Sequence, residues 1–365
     1  MSYLVLDTVS KAFRKAEVLK DASLTVEPGE AVVIVGPSGA GKTVLLRLIA
    51  GIHPIDGGDI RIGGRSVADL PPEARGVGMA FQNFALYPHL SARENIASPL
   101  RARGLAEAEL TKRVGDVAEL LKIDHVIERE PRRLSNGQKQ RTALARALVS
   151  GAALQMLDDP LRNVDAKLRY EMRFELPRLL KTFGATVLYV TQDYREAMAF
   201  GDRIAVLSGG RFAQVDRPAA VYRAPATVEI ARLFGDPTIN TYRARPRMSG
   251  QGAVVDVLGH TVALPAPVAA RLTGECVAGI RPEHVAVHLE PGPDRLPMAL
   301  DAVTMLNFRA AMLLKTQGGE ELIATASEDV AARLPRQHAE VHVAIDPAHI
   351  LFFDGATEAL VARDQ

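Results

Sequence analysis

Apolar and polar positions along this chain follow two rhythms. Up to about residue 235, short apolar runs alternate with segments of helical period. Ala31-Val32-Val33-Ile34-Val35 and Ala185-Thr186-Val187-Leu188-Tyr189-Val190 are continuous, β-branched and apolar. Runs of that kind predict strands buried on both faces, as in a parallel sheet. Residues 153–159 run apolar and then acidic, ending in Asp158-Asp159. Residues 204–207 and 211–215 flank Ser208-Gly209-Gly210 and predict a hairpin. Residues 44–50 read as a helix, and Leu110, Val114, Val117 and Leu121 recur at helical spacing. Strand and helix in alternation predict an α/β core. The stretch from about 85 to 145 predicts a helical insertion within it.

The rhythm changes near Gly235-Asp236-Pro237. Beyond it come short β-like runs at 252–257, 260–264, 277–280, 285–289, 310–315, 321–324 and 340–345. Turn residues separate them, among them Glu290-Pro291-Gly292-Pro293 and Gln317-Gly318-Gly319. The pattern predicts a small β-barrel or sandwich. The expected domains are therefore 1–235, containing the helical insertion, and 240–365.

Composition agrees with two soluble folded domains: 365 residues, 47% hydrophobic and 24% charged. A formal net charge of +1 gives no broad attraction to nucleic acid, so no nucleic-acid partner is expected. One cysteine, Cys276, cannot form an internal disulfide, which suits a reducing compartment. The first residues, Met-Ser-Tyr-Leu-Val-Leu-Asp, do not read as a signal peptide. No apolar run reaches the length of a membrane span, so work at a membrane would require other chains to cross it.

Candidate chemistry centres on Gly36-Pro37-Ser38-Gly39-Ala40-Gly41-Lys42-Thr43. This is a complete G-x-x-x-x-G-K-[ST] phosphate loop between a predicted strand and a predicted helix, the context the motif requires. Its glycines let successive N–H groups turn around an anion, and the helix N-terminus adds its positive end. Lys42 can reach β- and γ-phosphates, and the Thr43 hydroxyl can ligate Mg²⁺. Asp158, closing an apolar strand, can hold Mg²⁺ through water. Four weaker signals accompany these: Gln82 after an apolar run, Leu134-Ser135-Asn136-Gly137-Gln138 opening a helix, Asp165 after Arg162-Asn163-Val164, and Gln192 after a strand.

The order and spacing of these motifs resemble the ATP-binding-cassette (ABC) transporter ATPases over about residues 3–235. The resemblance implies the phosphate loop at 36–43 and a Q-loop at Gln82, counted with Thr43 and Asp158 among the Mg²⁺ ligands. It implies a signature at Ser135, Asn136, Gly137 and Gln138 that serves the nucleotide of a second chain. Asp165 takes the D-loop position and Gln192 the switch position. Phe13 stands where the family places an aromatic ring against adenine. Residues 81–90, with Glu94-Asn95-Ile96, and the hexapeptide Gly279-Ile280-Arg281-Pro282-Glu283-His284 are similar to the importers of carbohydrates, polyols and glycerol phosphate. The implied architecture is a P-loop nucleotide-binding core with a helical subdomain, followed by a small all-β oligosaccharide-binding-like (TOBE-type) domain. The implied cofactors are ATP and Mg²⁺. The implied partners are a second ATPase subunit (a paralogue or a second copy), two membrane permease subunits that dock at residues 82–90, and indirectly a substrate-binding protein. The implied location is the cytoplasmic face of the inner membrane.

Three positions depart from the family. Asp159 stands where a catalytic Glu follows the Mg²⁺-anchoring Asp, and its carboxylate is one methylene shorter. A misplacement of about 1 Å can cost about 10²-fold in rate. Gln192 replaces a His and cannot carry positive charge towards the transferring phosphoryl group. Asn136 replaces a signature Gly, where the expectation is that Asn tolerates a left-handed backbone. Residues that bind (Lys42, Thr43, Asp158, Ser135) are intact, while residues that promote hydrolysis (Asp159, Gln192) are altered. The chain is expected to bind ATP and hydrolyse it slowly beside a paralogous ATPase. The alternatives are a nucleotide-gated structural subunit and an ordinary homodimer with tolerated substitutions.

Overall fold

The computed structural model describes every residue except 1, 15, 82, 163, 183, 251, 273, 307–308, 335–338 and 362–365, and the side chain of residue 168. Its contacts divide the chain into Met1–Ala219 and Ala220–Gln365. The first unit runs β1 (Leu4–Phe13), β2 (Ala16–Val26), β3 (Ala31–Val35), α1 (Lys42–Ile49), β4 (Gly57–Ile62), β5 (Arg65–Ser66), β6 (Val77–Ala80), α2 (Ala92–Ala102), α3 (Glu107–Leu120) and α4 (Asn136–Val149). It continues with β7 (Leu154–Asp158), α5 (Ala166–Thr182), β8 (Thr186–Val190), α6 (Tyr194–Phe200), β9 (Arg203–Ser208) and β10 (Arg211–Asp216), after which α7 (Pro218–Arg223) spans the division.

A six-stranded sheet of order β10-β9-β3-β8-β7-β6 forms the centre of this unit. β3 pairs in parallel with β8 and β9, and β7 with β6 and β8. Only β10 runs antiparallel, as the hairpin partner of β9. Every residue of β7 and β8 is buried, which is why their sequences lack polar alternation. A second, antiparallel sheet has the order β2-β1-β4-β5. Leu6, Leu19 and Ile60 from it share one core with Ile34, Leu45 and Leu188. The helical insertion consists of α2, α3 and α4. Ser91 and Ser135 open α2 and α4 with capping boxes, closed by Glu94 and Gln138.

The second unit contains α8 (Val228–Leu233), β11 (Asn240–Ala244), β12 (Arg247–Ser249), β13 (Gly252–Val257), β14 (His260–Ala263), α9 (Ala266–Ala269) and β15 (Cys276–Ile280). Then come β16 (Val285–His288), β17 (Leu296–Leu306), β18 (Arg309–Lys315), β19 (Glu321–Ser327), α10 (Glu328–Ala331), β20 (Glu340–Ile345) and β21 (Leu351–Asp354). The strands form three antiparallel sheets: β11-β15-β21, β12-β13-β14 and β16-β20-β17-β18-β19. Asn240, buried, ties two of them together. Its amide donates to the carbonyls of Ile280 (3.1 Å) and Ile323 (2.8 Å) and accepts from the Ile323 N–H. The sequence places its boundary on the turn residues at 235–245, whereas the contacts divide the chain earlier. Val228 and Ala231 of α8 pack with Ile239, Val277, Leu351 and Phe353, so α8 groups with the β-rich unit.

At the end of β3 the backbone of Gly36 passes so close to β9 that a Cβ there would lie 2.1 Å from the Leu207 carbonyl oxygen. A methyl group at that point has no space, whereas one on Gly39 meets nothing within 4 Å and is strained only by a φ of +83°. Gly36→Ala is expected to destabilise the chain by about 1–3 kcal/mol, as overpacking does. Gly39→Ala should cost less, and urea unfolding midpoints of the two variants check the order.

Candidate functional site

Strand order decides where the site lies. β3, β8 and β7 are neighbours and point the same way, so the segments leaving their carboxyl ends meet at one edge of the sheet. Open α/β sheets bind ligands at that edge. The segments are the loop 36–43, the residues Thr191-Gln192, and the pair Asp158-Asp159. Together they line a cavity of about 380 Å³, with walls from Ser38 to Thr43, Asp158, Asp159 and Gln192. Val18, Val44, Arg162 and Val190 complete it.

Gly41 is the N-cap of α1 with φ +99°, a left-handed angle that favours glycine. The first N–H groups of a helix lack intrahelical acceptors, which makes this turn an anion cradle. Lys42 is buried and its ammonium folds back on the loop, donating to the carbonyls of Gly36 (2.7 Å) and Pro37 (2.8 Å). Burial lowers its pKa, while the charges of Asp159 and Asp158 act in the opposite direction. The Thr43 hydroxyl donates to Asp158 Oδ1 at 3.1 Å. Burial raises the Asp158 carboxyl, and that hydrogen bond together with the charges of Arg47 and Lys42 opposes the rise.

Asp159 follows directly, with its N–H on the Val190 carbonyl (2.8 Å) and a left-handed φ of 49°. The turn aims its carboxylate into the cavity, 3.7 Å from Arg162 Nη1. Its pKa is pushed up to about 6, by burial first and then by the charge of Glu196. Gln192 is exposed on the cavity wall between two fixed residues. Glu196, buried, accepts from the hydroxyls of Thr191 (2.9 Å) and Tyr189 (2.8 Å). Asp193 caps α6 by accepting from the Arg195 N–H, and it accepts from Arg173 (2.5 Å). Glu196 and Arg173 carried no signal in the sequence, because no motif contains them, and Arg162 entered only as a neighbour of Asp165.

The remaining candidates lie apart from this cavity. Phe13 is half exposed at the end of β1, its ring edge-on to His53 at 5.5 Å and 5.4 Å from Lys11 Nζ. Ser135, the N-cap of α4, accepts from the Gln138 N–H and donates its own N–H to Gln138 Oε1. Asn136 follows as the first residue of α4, without positive φ. Position 136 therefore has ordinary helical geometry, and the tolerance of Asn for a left-handed backbone is not called on there. Gly137 is half-buried in the same turn, and Asp165 is exposed just before α5. Gln82 lies outside the described residues.

The ABC transporter family pattern matches residues 19–162, and the TOBE domain pattern matches residues 278–353. The chain is 40% identical over 359 residues to the sn-glycerol-3-phosphate import ATP-binding protein UgpC of Cereibacter sphaeroides, covering 98% of this chain and 99% of that protein. It is 42% identical over 296 residues to the maltose/maltodextrin import ATP-binding protein MalK of Yersinia pestis, covering 78% of each. The chain belongs to the ABC transporter ATPases. Among solved structures, a dimeric ATP-binding cassette in a post-hydrolysis state, bound to ADP and Pi, superposes with a TM-score of 0.55 at 30% identity, covering 59% of this chain and 98% of that one.

The cavity of this ABC ATPase fits the family's cofactors, ATP and Mg²⁺. It offers a glycine turn at a helix N-terminus for phosphate, and a hydroxyl and a carboxylate already 3.1 Å apart for a hard cation. Among the described residues, no group of three His, Cys, Asp or Glu side chains could hold a metal ion by itself.

The position of Asp159 has a stability consequence. Its folded-state pKa of about 6 lies above the reference 3.8. The folded state therefore holds the proton more tightly, and ionisation removes stability as pH rises from about 4 to about 6. Without nucleotide, Asp159→Asn should gain stability over the parent across that window and keep the gain above it. Urea melts at a series of pH values check this, and parallel profiles for parent and variant would contradict it.

Proposed function

We propose that this chain is the nucleotide-binding subunit of an importer for a glycerol-phosphate or carbohydrate solute. On this reading it holds ATP firmly, hydrolyses it slowly at its own phosphate loop, and works beside a paralogous ATPase. Similarity to UgpC and MalK supports the importer role and the solute class. The observation that carries the rest is the pairing of residues in one cavity. Lys42, Thr43 and Asp158 are all present, whereas the hydrolytic positions hold Asp159 and Gln192.

The proposed roles follow from the geometry. The loop 36–43 wraps the β- and γ-phosphates with N–H groups, and Lys42 leaves its two carbonyls to donate to phosphate oxygens. Thr43 and Asp158 hold the cation, with Gln82 as a further ligand. Mg²⁺, when bound, neutralises charge on the phosphate oxygens. Asp159 orients the attacking water, but from a shorter side chain and beside Arg162. Gln192 donates a neutral hydrogen bond to the γ-phosphate. A lost electrostatic contact of this kind costs about 2.7–4 kcal/mol of barrier elsewhere. Ser135, Asn136, Gly137 and Gln138 contact the partner's nucleotide, Asp165 lies at the chain–chain contact, and Phe13 flanks adenine. Two permease subunits, fed by a substrate-binding protein, dock at 82–90 on the cytoplasmic face of the membrane. The domain limits 1–235 and 240–365 belong to the same reading.

Two outcomes test it. Lys42→Ala should lose most ATP affinity, at least about 10²-fold by equilibrium binding, because the buried ammonium is the main cation facing the phosphates. The parent chain with ATP and Mg²⁺ and no paralogue present should accumulate a two-chain assembly on gel filtration, because slow hydrolysis leaves the nucleotide sandwich intact. Rapid conversion to ADP and separate chains would contradict the slow-site reading.

A further inference from the structure

The cavity at the strand ends contains a second cation besides Lys42. Four of its lining residues are charged: Lys42, Asp158, Asp159 and Arg162. Two carboxylates against two cations leave the lining without net formal charge, so without Arg162 it would be negative and would repel phosphate. The Lys42 ammonium is turned onto the carbonyls of Gly36 and Pro37. Arg162 stands beside Asp159, with Nη1 3.7 Å from Oδ2.

The backbone that carries Arg162 is fixed. Leu161 before it and Val164 beyond it are buried. The Arg162 N–H donates to the Asp159 carbonyl at 3.2 Å, closing the turn after β7. Its own carbonyl accepts from Arg169 Nη2 of α5 at 2.9 Å, and the same nitrogen donates to the Val164 carbonyl at 3.1 Å. The side chain itself is half exposed and lies on the cavity wall. A separation of 3.7 Å from Asp159 is outside hydrogen-bond range, and an exposed ion pair of this kind contributes little. Arg162 therefore gives up little by turning its guanidinium to a phosphate, which a planar fork matches with two parallel N–H donors.

Water attacks at the terminal phosphoryl group, and Asp159 is the residue proposed to orient that water. A cation beside Asp159 is therefore a cation beside the phosphoryl group that ATP has and ADP lacks. This step rests on the role proposed for Asp159, not on the rate at which the chain turns over. We propose that Arg162 is a nucleotide-binding residue whose guanidinium contacts the terminal phosphoryl group of ATP held by the loop 36–43 of the same chain, so that the site prefers ATP to ADP. Gln192, on the same cavity wall, is neutral and supplies no such charge. Arg162 adds to the hold on ATP at the end of the cavity where the hydrolytic positions are altered.

The test is competition of ATP and of ADP against a fluorescent nucleotide on the full chain, kept dilute enough to remain single and held in EDTA, where hydrolysis does not proceed. The outcome is then independent of the slow-hydrolysis reading, which fast turnover in Mg²⁺ would sink by itself. Arg162→Gln is expected to weaken ATP about tenfold or more and ADP by no more than about twofold, as the loss of one charge-assisted contact does. Retained ADP binding also shows that the variant is folded. The same substitution in a chain carrying Asp159→Asn separates direct contact from shielding of the Asp159 charge, and the loss for ATP should persist there. Equal losses for ATP and ADP, no loss for ATP, a loss that disappears with Asp159→Asn, or a loss seen only at concentrations where two chains pair would each overturn the proposal.

Discussion

Burial of three adjacent parallel strands governs where the chemistry of this chain occurs. β3, β8 and β7 are apolar nearly throughout, so water is excluded from both faces and their register is fixed by packing. Gln155 is buried within β7, bonded to the Ala152 carbonyl, while the polar residues of the site appear where the strands end. The ends coincide, so a glycine turn, a carboxylate pair and a glutamine meet although up to 156 residues separate them in sequence (Gly36 to Gln192). Close approach of the neighbouring strand leaves no room for a side chain at Gly36, which holds the loop against the sheet. The raised carboxyls of Asp158 and Asp159 follow from the same burial.

The helical insertion adds a second dependency. α4 begins at the Ser135 capping box, and further along it Arg146 donates to the carbonyls of Phe84 (3.1 Å) and Ala85 (2.8 Å). Those two residues have left-handed φ values of 63° and 48°, so the Arg146 contacts hold an irregular loop. Asn95, fully buried in α2, fixes the loop's other end through the Tyr87 N–H and the carbonyls of Tyr87, Leu90 and Ser91. One helix therefore links Ser135–Gln138 to the loop. Under the proposed reading, that is how a change at the partner's nucleotide reaches a docked permease.

How much of this was legible in the sequence depended on burial and on continuity. β3, β7 and β8 were readable because strands buried on both faces have unbroken apolar runs. β1 and β2 were not, because register shifts after Leu6, Val9 and Lys11 break the alternation that marks a strand. β17 was hidden in the same way, by Pro297, Asp301 and a shift between Leu300 and Ala302. At the site, the phosphate loop and Asp158 were legible because their motif and its flanking elements coincide. Arg162 and Glu196 were not, since their roles arise from turns that bring them beside Asp159 and Thr191. At Asn136 the tolerance of Asn for a left-handed backbone has no bearing, because a helix N-terminus needs no such angle.

The measurement that bears most directly on the central claim is the single-turnover rate of ATP hydrolysis by the parent chain, set beside the chain carrying Asp159→Glu with Gln192→His. Both are to be saturated with ATP and Mg²⁺ and matched for nucleotide affinity. A restored carboxylate reach and a restored charge should raise the rate by about 10²-fold or more with little change in affinity. Equal rates for the two chains would show that Asp159 and Gln192 do not limit hydrolysis, and would contradict the account.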